Sequence, residues 1–124
     1  MALDKAPQNE SVEGPKLEWG ADLGQMSWND ALKKITELNA TLPEGEKPWR
    51  LPTEKELCDE FDYDEFRKTR SSSAVGFQDN YYWSDSLTPT NPFLVPILHM
   101  GNGVADYGGT GYANACARLV RNVA

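Results

Sequence analysis

Apolar and polar residues alternate with two different periods along this chain, and the period changes near the middle. In the first half, Trp28, Ala31, Leu32, Ile35 and Leu38 recur three or four residues apart, as on one face of an α-helix. In the second half, short apolar segments are separated by glycine or proline, which is typical of β-strands joined by turns. The pattern predicts an early helical part and a late sheet-forming part.

Two helices are predicted from capping signals. Ser27 precedes the first periodic segment and Asp30 follows three residues later. Thr53 and Glu56 have the spacing of a second capping box, just before another apolar group. The predicted helices extend from about Trp28 to Ala40 and from about Glu54 to Phe61.

Strands are predicted on both sides of these helices. A short first strand at Leu17–Trp19 is expected to end at the glycines that follow it, and 69–80, rich in serine and polar residues, is interpreted as a loop. Pro96 predicts that its strand lies at an edge of the sheet or contains a bulge, and Gly101-Asn102-Gly103 is suited to a tight turn. The later strands are predicted at Tyr81–Ser84, Phe93–Met100, Gly103–Tyr107 and Ala113–Val120.

Length and composition indicate one folded domain. The chain has 124 residues, of which 40% are hydrophobic, enough for one core. Residues 1–15 are polar and show no hydrophobic period, so we predict a flexible leader at 1–15 and a single domain at 16–124. The predicted fold class is α+β, with two helices packed on one side of a small antiparallel sheet.

Charge limits the classes of partner. The net charge is −7, and residues 1–65 carry 16 acidic against 7 basic side chains. Such a surface repels phosphate backbones, so we expect no direct nucleic-acid binding, while a basic protein partner stays open. No apolar segment approaches the roughly 20 residues of a membrane helix, and the first residues lack the apolar core of a signal peptide. We therefore expect no membrane insertion.

The chain offers little for catalysis. His99 is the single histidine, and no serine or cysteine stands in a recognisable nucleophile context beside it, so a structural role is favoured. Cys58 and Cys116 are compatible with one disulfide or with two unpaired thiols. We expect neither an enzyme nor a cofactor.

A set of sequence blocks in a fixed order resembles a bacterial family named after the C-terminal domain of the Legionella collagen-like adhesin. The most specific block is Trp49-Arg50-Leu51-Pro52-Thr53. The other blocks are Leu17–Trp19, Met26–Trp28, Tyr82–Ser84, Gly101–Gly103 and Arg118–Arg121.

This resemblance implies a fold similar to C-type lectins and to formylglycine-generating enzymes, and adhesion to glycans is the behaviour that it implies. It also implies a cysteine in the first helix and another in the last block, where this chain has Ile35 and Leu119. An apolar contact in place of that disulfide suits a reducing compartment. The pair of active-site cysteines of the formylglycine enzymes is not reproduced by Cys58 and Cys116, so a degenerate oxidase is the least favoured hypothesis.

Two acidic motifs are compatible with a metal, but we favour structural roles for both. Trp28-Asn29-Asp30 matches the letters of a calcium-ligand motif in C-type lectins, yet here it begins a helix. The second motif lacks the spacing of a calcium loop and is interpreted as the solvated face of a helix. It comprises Glu54, Glu56, Asp59, Glu60, Asp62, Asp64 and Glu65.

The candidate ligand-binding residues are tyrosine, amide and carboxylate side chains that flank the glycine-rich connections. A rigid sheet is able to present such groups to a sugar or to a protein surface, although ordinary loop positions explain them as well. All four tryptophans are assigned to the core or its margins. The candidate residues are Tyr81, Asn102, Asp106, Tyr107, Tyr112 and Asn114.

The sequence thus predicts a non-catalytic binding module that contacts a glycan or a protein partner through its late-strand loops. The alternative is a small acidic inhibitor or accessory protein, bacterial or phage-encoded, that acts inside the cell by protein–protein contact. A cytoplasmic or phage-associated location is favoured over an extracellular one.

Overall fold

Three helices and five strands make up the part of the chain that the computed structural model describes, namely residues 16–61, 63–69 and 76–123. The predicted leader at 1–15 lies outside these residues. The helices are α1 (Trp28–Asn39), α2 (Glu54–Glu60) and α3 (Tyr63–Thr69). The strands are β1 (Leu17–Gln25), β2 (Tyr81–Trp83), β3 (Leu94–His99), β4 (Ala105–Gly109) and β5 (Cys116–Asn122).

Both predicted helix starts are confirmed. The Ser27 hydroxyl accepts the Asp30 N–H at 3.1 Å and so caps α1. Thr53 and Glu56 bond reciprocally, because the Thr53 hydroxyl accepts the Glu56 N–H and a Glu56 carboxylate oxygen accepts the Thr53 N–H. Satisfying these amide groups fixes where each helix begins.

The third helix was not predicted. Phe61 leaves α2 with extended backbone, and α3 begins two residues later. Edge-to-face and tilted ring contacts, with centroids 4.7 Å and 5.5 Å apart, join Phe61 to Tyr63 and Phe66. A seven-residue helix is too short to show a hydrophobic period, so tertiary ring packing rather than pattern identifies it. Residues 70–75 of the predicted loop lie outside the described residues.

The sheet has the order β1-β5-β2-β3-β4 and is mixed. Neighbouring strands are antiparallel except β2 and β5, which meet in parallel at Tyr82 and Cys116. The prediction of a purely antiparallel sheet was therefore wrong. The reason is that β5 returns to the middle of the sheet and lies between β1 and β2, instead of continuing the series of hairpins.

Helices cover both faces of the sheet, and the prediction that they cover one side was wrong. Consecutive residues of a strand point to opposite faces, and the consecutive pair Tyr82 and Trp83 is fully buried, so the inner strands need cover on both sides. The α1 face contains Ala31, Ile35, Leu51, Trp83, Val95, Ile97, Ala115, Ala117 and Leu119. The α2 face contains Leu57, Phe61, Tyr82, Leu98, Met100 and Cys116.

β1 extends to Gln25, so the prediction that it ends at the glycines was also wrong. Its register against β5 is irregular between Trp19 and Asp22, and the strand continues beyond the irregularity. A Cβ atom on Gly20 would lie 2.7 Å from the indole of Trp49. Gly20 therefore permits close packing inside the strand rather than ending it.

Pro96 lies on β3, between β2 and β4, and the register of β3 with both strands has no shift, so the prediction of an edge strand or a bulge was wrong. The Ser84 N–H bonds the Pro96 carbonyl at 3.2 Å, and an ordinary residue at 96 would return its own N–H to the Ser84 carbonyl. Proline has no N–H. The Trp28 indole N–H instead donates to the Ser84 carbonyl at 2.9 Å, so a side chain from α1 satisfies the acceptor that the proline leaves.

Replacing Trp28 by phenylalanine should therefore lower the free energy of unfolding by about 1–3 kcal/mol, because the Ser84 carbonyl loses its donor. In the Trp28→Phe background, Pro96→Ala should recover part of that loss, since an N–H then faces the same carbonyl. Urea unfolding of the two single variants and the double variant measures the coupling. Strictly additive effects would contradict this account.

The turn between β3 and β4 is confirmed. Gly103 has a φ of 78°, which favours glycine, and its N–H bonds the His99 carbonyl at 2.7 Å. The strand that follows lies two residues later than predicted, at Ala105–Gly109. β4 is the last strand at one end of the sheet, and β1 is the last strand at the other.

Candidate functional site

A small recess lies beside β4 and brings four of the six candidate residues together. Its volume is about 160 Å³. Tyr81 from β2, Asp106 and Tyr107 from β4, and Tyr112 from the following loop line it, together with Ile97, Gly108 and Gly109. We call it the edge recess.

A buried tryptophan supports the recess from below. Trp83 is fully buried, and its indole N–H donates to the Met26 carbonyl at 2.8 Å. A Cβ atom on Gly108 would lie 2.9 Å from the Trp83 ring, so the backbone of β4 is close to the indole only because residue 108 is glycine. The recess therefore has a rigid base.

The two tyrosines from outside β4 are held differently. The Tyr81 ring packs edge-to-face on His99, with centroids 4.8 Å apart. Tyr112 is 45% exposed, its ring lies 6.4 Å from that of Trp83, and its N–H bonds the Gly109 carbonyl. Tyr81 is thus a fixed wall, whereas the Tyr112 ring is available to a ligand.

Asp106 and Tyr107 point to opposite faces of the sheet because they are consecutive residues of one strand. The Asp106 carboxylate accepts the N–H of Tyr107 at 2.8 Å and lies on the α1 face. Tyr107 is 59% exposed and also lines a second cavity on the α2 face. The edge recess therefore opens on the α1 face, and Tyr107 lies at the edge of the sheet between this recess and the second cavity.

The other two candidates do not line the recess. Asn102 is part of the turn at the far end of β4, where its side-chain oxygen accepts the Val104 N–H at 3.0 Å. The carbonyl of Asn114 accepts a bond from the Asn80 amide at 3.1 Å, ahead of β5. The Asn102 side chain thus stabilises the turn, whereas at Asn114 the backbone carbonyl makes the contact.

Sequence reasoning missed a larger cleft on the α2 face, with a volume of about 580 Å³. We call it the loop cleft. The sequence feature that could have indicated this cleft is the segment 87–92, which contains prolines and was predicted only as a loop. Its lining residues are Glu54, Leu87, Thr88, Pro89, Thr90, Asn91, Leu94, Pro96 and Tyr107.

A partly buried polar cluster around the Tyr82 hydroxyl lies away from the residues that line the two cavities. The Tyr82 hydroxyl donates to the Asp22 carboxylate and accepts the Gln78 N–H at 2.7 Å. Burial, then the bond to Asp22, raises the pKa of Tyr82, and burial raises the pKa of the Cys116 thiol. Both groups stay neutral at physiological pH, and a protonated thiol is a poor nucleophile.

Cys58 and Cys116 are both free, so the unpaired alternative is the observed one.

Three carboxylates of the second acidic motif have basic partners nearby in the sequence. Glu56 pairs with Arg50, Asp59 with Lys55 at 2.8 Å, and Asp64 with Arg67. Over the described residues, no three histidine, cysteine or acidic side chains converge as metal ligands would. Asp62 and the Glu65 side chain lie outside those residues.

His99 has local contacts as well. Its Nδ1 accepts the Gly101 N–H at 3.1 Å and lies 3.8 Å from a carboxylate oxygen of Asp79. The ring therefore supports the β3–β4 turn and the wall formed by Tyr81.

The most specific sequence block is structural. The backbone N–H and C=O of Trp49 bond the Asn39 side chain at 2.8 Å and 2.9 Å, which anchors the segment after α1. The Arg50 backbone exchanges two bonds of 2.9 Å with Val120 of β5. Arg121 stacks over the Trp49 ring at 4.2 Å. These contacts connect the block to the last strand of the sheet.

The fold and the recess define a single-sheet α+β domain with a candidate binding edge. The family model of the Lcl C-terminal domain matches residues 9–121, nearly the whole chain, and the chain belongs to this family. The sequence resemblance is thereby confirmed. Neither the curated proteins nor the solved structures contain a match to the chain. Within the described part of the chain, every helix is too short or too polar to cross a bilayer.

Proposed function

We propose that this domain is a non-catalytic binding module that contacts a glycan or a protein partner through its late strands and their loops. The edge recess carries the proposal, because it presents tyrosine rings and the Asp106 carboxylate on backbone that rests on buried Trp83. Aromatic walls with a few polar groups are typical of ligand sites. A rigid base lowers the entropy cost of binding.

The finer fold that we propose is C-type-lectin-like. Family membership and the α+β architecture support this assignment. The proposed module uses no cofactor. It contacts neither nucleic acid nor the membrane interior, and the net charge of −7 supports the first of these exclusions.

The absence of catalysis is part of the proposal. The raised pKa values of Tyr82 and Cys116 support it, since neither group is activated as a nucleophile. His99 supports it as well, because its ring is occupied by the Gly101 N–H and by Tyr81.

A second candidate is a small acidic inhibitor or accessory protein that acts by protein–protein contact in a cytoplasmic or phage-associated setting. The free state of Cys58 and Cys116 favours it, since thiols persist in reducing compartments. Ile35 and Leu119 belong to one apolar cluster, at the positions where the family resemblance implies a disulfide. This apolar packing favours the same setting.

The test combines a glycan array with affinity capture from bacterial lysate, each repeated with a chelator. Tyr112→Ala and Tyr107→Ala should each weaken binding about tenfold, because both rings are exposed at the edge. Their unfolding midpoints should change little, since exposed positions contribute within about 0.5 kcal/mol.

Two controls separate binding from folding. Val123→Ala removes another exposed apolar side chain, just after β5 and outside the recess, and should leave binding unchanged. Trp49→Ala should lower the free energy of unfolding, and it should reduce binding only to the extent that the variant is unfolded. Equal losses of stability from the Trp49 and Tyr112 variants would contradict the proposal, and chelator-sensitive binding would contradict the absence of a metal.

A further inference from the structure

The outer edge of β4 pairs with no strand among the described residues, because β4 is last in the sheet order. Its neighbour β3 is antiparallel, with His99 bonding the Val104 carbonyl and Thr110 bonding the Phe93 carbonyl, both at 2.9 Å. Backbone groups alternate in direction along such a ladder. The groups of Ala105, Tyr107 and Gly109 therefore point away from β3.

Two of these outward groups are already occupied. The Asp106 carboxylate accepts the Tyr107 N–H at 2.8 Å, and the Gly109 carbonyl accepts the Tyr112 N–H at 2.9 Å. The register leaves the N–H and C=O of Ala105, the C=O of Tyr107 and the N–H of Gly109 directed at the outer edge. An extended chain that approaches this edge finds both donors and acceptors.

The edge lies between two cavities on opposite faces of the sheet. The edge recess opens on the α1 face and the loop cleft on the α2 face, and Tyr107 lines both. Side chains of an added strand alternate between the two faces. Successive side chains of such a strand would therefore enter the recess and the cleft in turn.

Both cavities are acidic. Asp106 lines the recess and Glu54 lines the cleft, and neither set of lining residues contains lysine or arginine. Cationic side chains on the added strand are therefore complementary to both faces. A second copy of this chain is disfavoured, because it would bring another Asp106 and another net charge of −7 to the same edge.

We infer that β4 binds an extended segment of a protein partner by strand addition, with lysine or arginine side chains beside Asp106 and Glu54. This inference rests on the proposed binding function and names the class of its ligand.

The test uses the full chain to select from a displayed library of nine-residue peptides. Enriched peptides should carry lysine or arginine at alternate positions. A synthetic copy of an enriched peptide, measured by fluorescence anisotropy, should bind at least tenfold more weakly after N-methylation of alternate backbone amides. Replacing its cationic residues by glutamate should weaken binding to the same extent.

Variants of the chain locate the contact. Ala105→Pro removes an outward N–H without touching the β3–β4 ladder and should weaken binding at least tenfold, since edge strands tolerate such a proline. Asp106→Asn keeps the oxygen that caps Tyr107 and should weaken binding about threefold to tenfold, with a smaller salt dependence. Glu44→Gln, an exposed change in the loop after α1, should have no effect.

The remaining outcomes overturn the inference. The inference is wrong if the Ala105→Pro variant enriches the same peptides as the wild type, or if the enriched peptides lack cationic residues. It is also wrong if the chain forms a concentration-dependent dimer that Ala105→Pro dissociates. Glycan binding lost in Tyr112→Ala, with no peptide enrichment, would overturn strand addition and leave the proposed function standing. Absence of both glycan and protein binding would overturn the two together.

Discussion

Replacing Trp83 by alanine should lower the free energy of unfolding by about 3–5 kcal/mol, a large share of the roughly 5–15 kcal/mol typical of a domain. The indole is fully buried in the α1-face cluster, and its N–H is bonded to the Met26 carbonyl. Alanine leaves a cavity in the middle of the sheet and an unpaired carbonyl beside it. Urea unfolding followed by far-ultraviolet circular dichroism measures the loss.

Trp83→Phe is the matched control, because it keeps a ring under Gly108 while removing the N–H donor. It should cost clearly less than alanine. Trp83→Ala should also reduce ligand binding at the edge recess, since Gly108 and Tyr112 both contact this indole. A stability loss below about 1 kcal/mol in Trp83→Ala would contradict the central position assigned to the side chain.

Replacing Glu56 by alanine should lower the free energy of unfolding by about 2–3 kcal/mol. One carboxylate oxygen accepts both the Thr53 N–H and an Arg50 N–H at 2.8 Å, and the other accepts Arg50 at 2.9 Å. The same guanidinium reaches the Asn122 side chain at 2.8 Å, so the pair connects the start of α2 to the end of β5. Thermal and urea unfolding at pH 7 measure the effect.

The effect of Glu56 should depend on pH. Its bond to Arg50 lowers the pKa of the carboxyl from the usual 4.5. A carboxyl whose pKa is lower in the folded than in the unfolded state stabilises the protein at any pH above its unfolded-state pKa. That stabilisation is lost as the pH falls from the unfolded-state pKa through the folded-state pKa. The difference in stability between wild type and Glu56→Ala should therefore be constant above about pH 5 and shrink below about pH 4.5.

Two variants control for this result. Glu56→Gln keeps an acceptor for the Thr53 N–H but no charge, so it should lose part of the stability and show no such acid dependence. Glu44→Gln removes an exposed carboxylate from the loop after α1 and should leave the loss of stability below about pH 4.5 unchanged. A wild-type advantage over Glu56→Ala that stayed constant down to pH 3 would contradict the role of the ion pair.

Short sequence motifs were sufficient to predict the features that involve only residues close together in the chain. Ser27 and Thr53 cap their helices as predicted because a capping bond joins residues three apart, and such a bond is visible in the sequence. The Gly103 turn is predictable for the same reason. Family membership also followed from the order of short blocks, of which Trp49–Thr53 is the most specific.

The candidate site was partly predictable. Tyr107 and Tyr112 lie beside the glycines of β4 and of the loop after it, which the sequence shows. Tyr81 lines the same recess as Asp106 only because β2, β3 and β4 are neighbours in the sheet. Asn102 and Asn114 satisfy the same sequence criterion but do not line the recess, and the Asn102 side chain caps the backbone of the turn instead. The loop cleft was missed because Glu54 and Tyr107 are distant in sequence and meet only through packing of α2 beside β3.

The sequence by itself determined the helix starts, the turn at Gly103, the α+β class, the acidic character and the family. Only the tertiary structure decided that helices cover both faces and that β5 lies between β1 and β2. It also decided that the Pro96 strand is internal and that a third helix forms on the ring of Phe61. The physical reason is that caps and turns involve near neighbours in the chain, whereas strand order, the donor that Trp28 supplies beside Pro96, and the charge on each side of the β4 edge depend on residues brought together by folding.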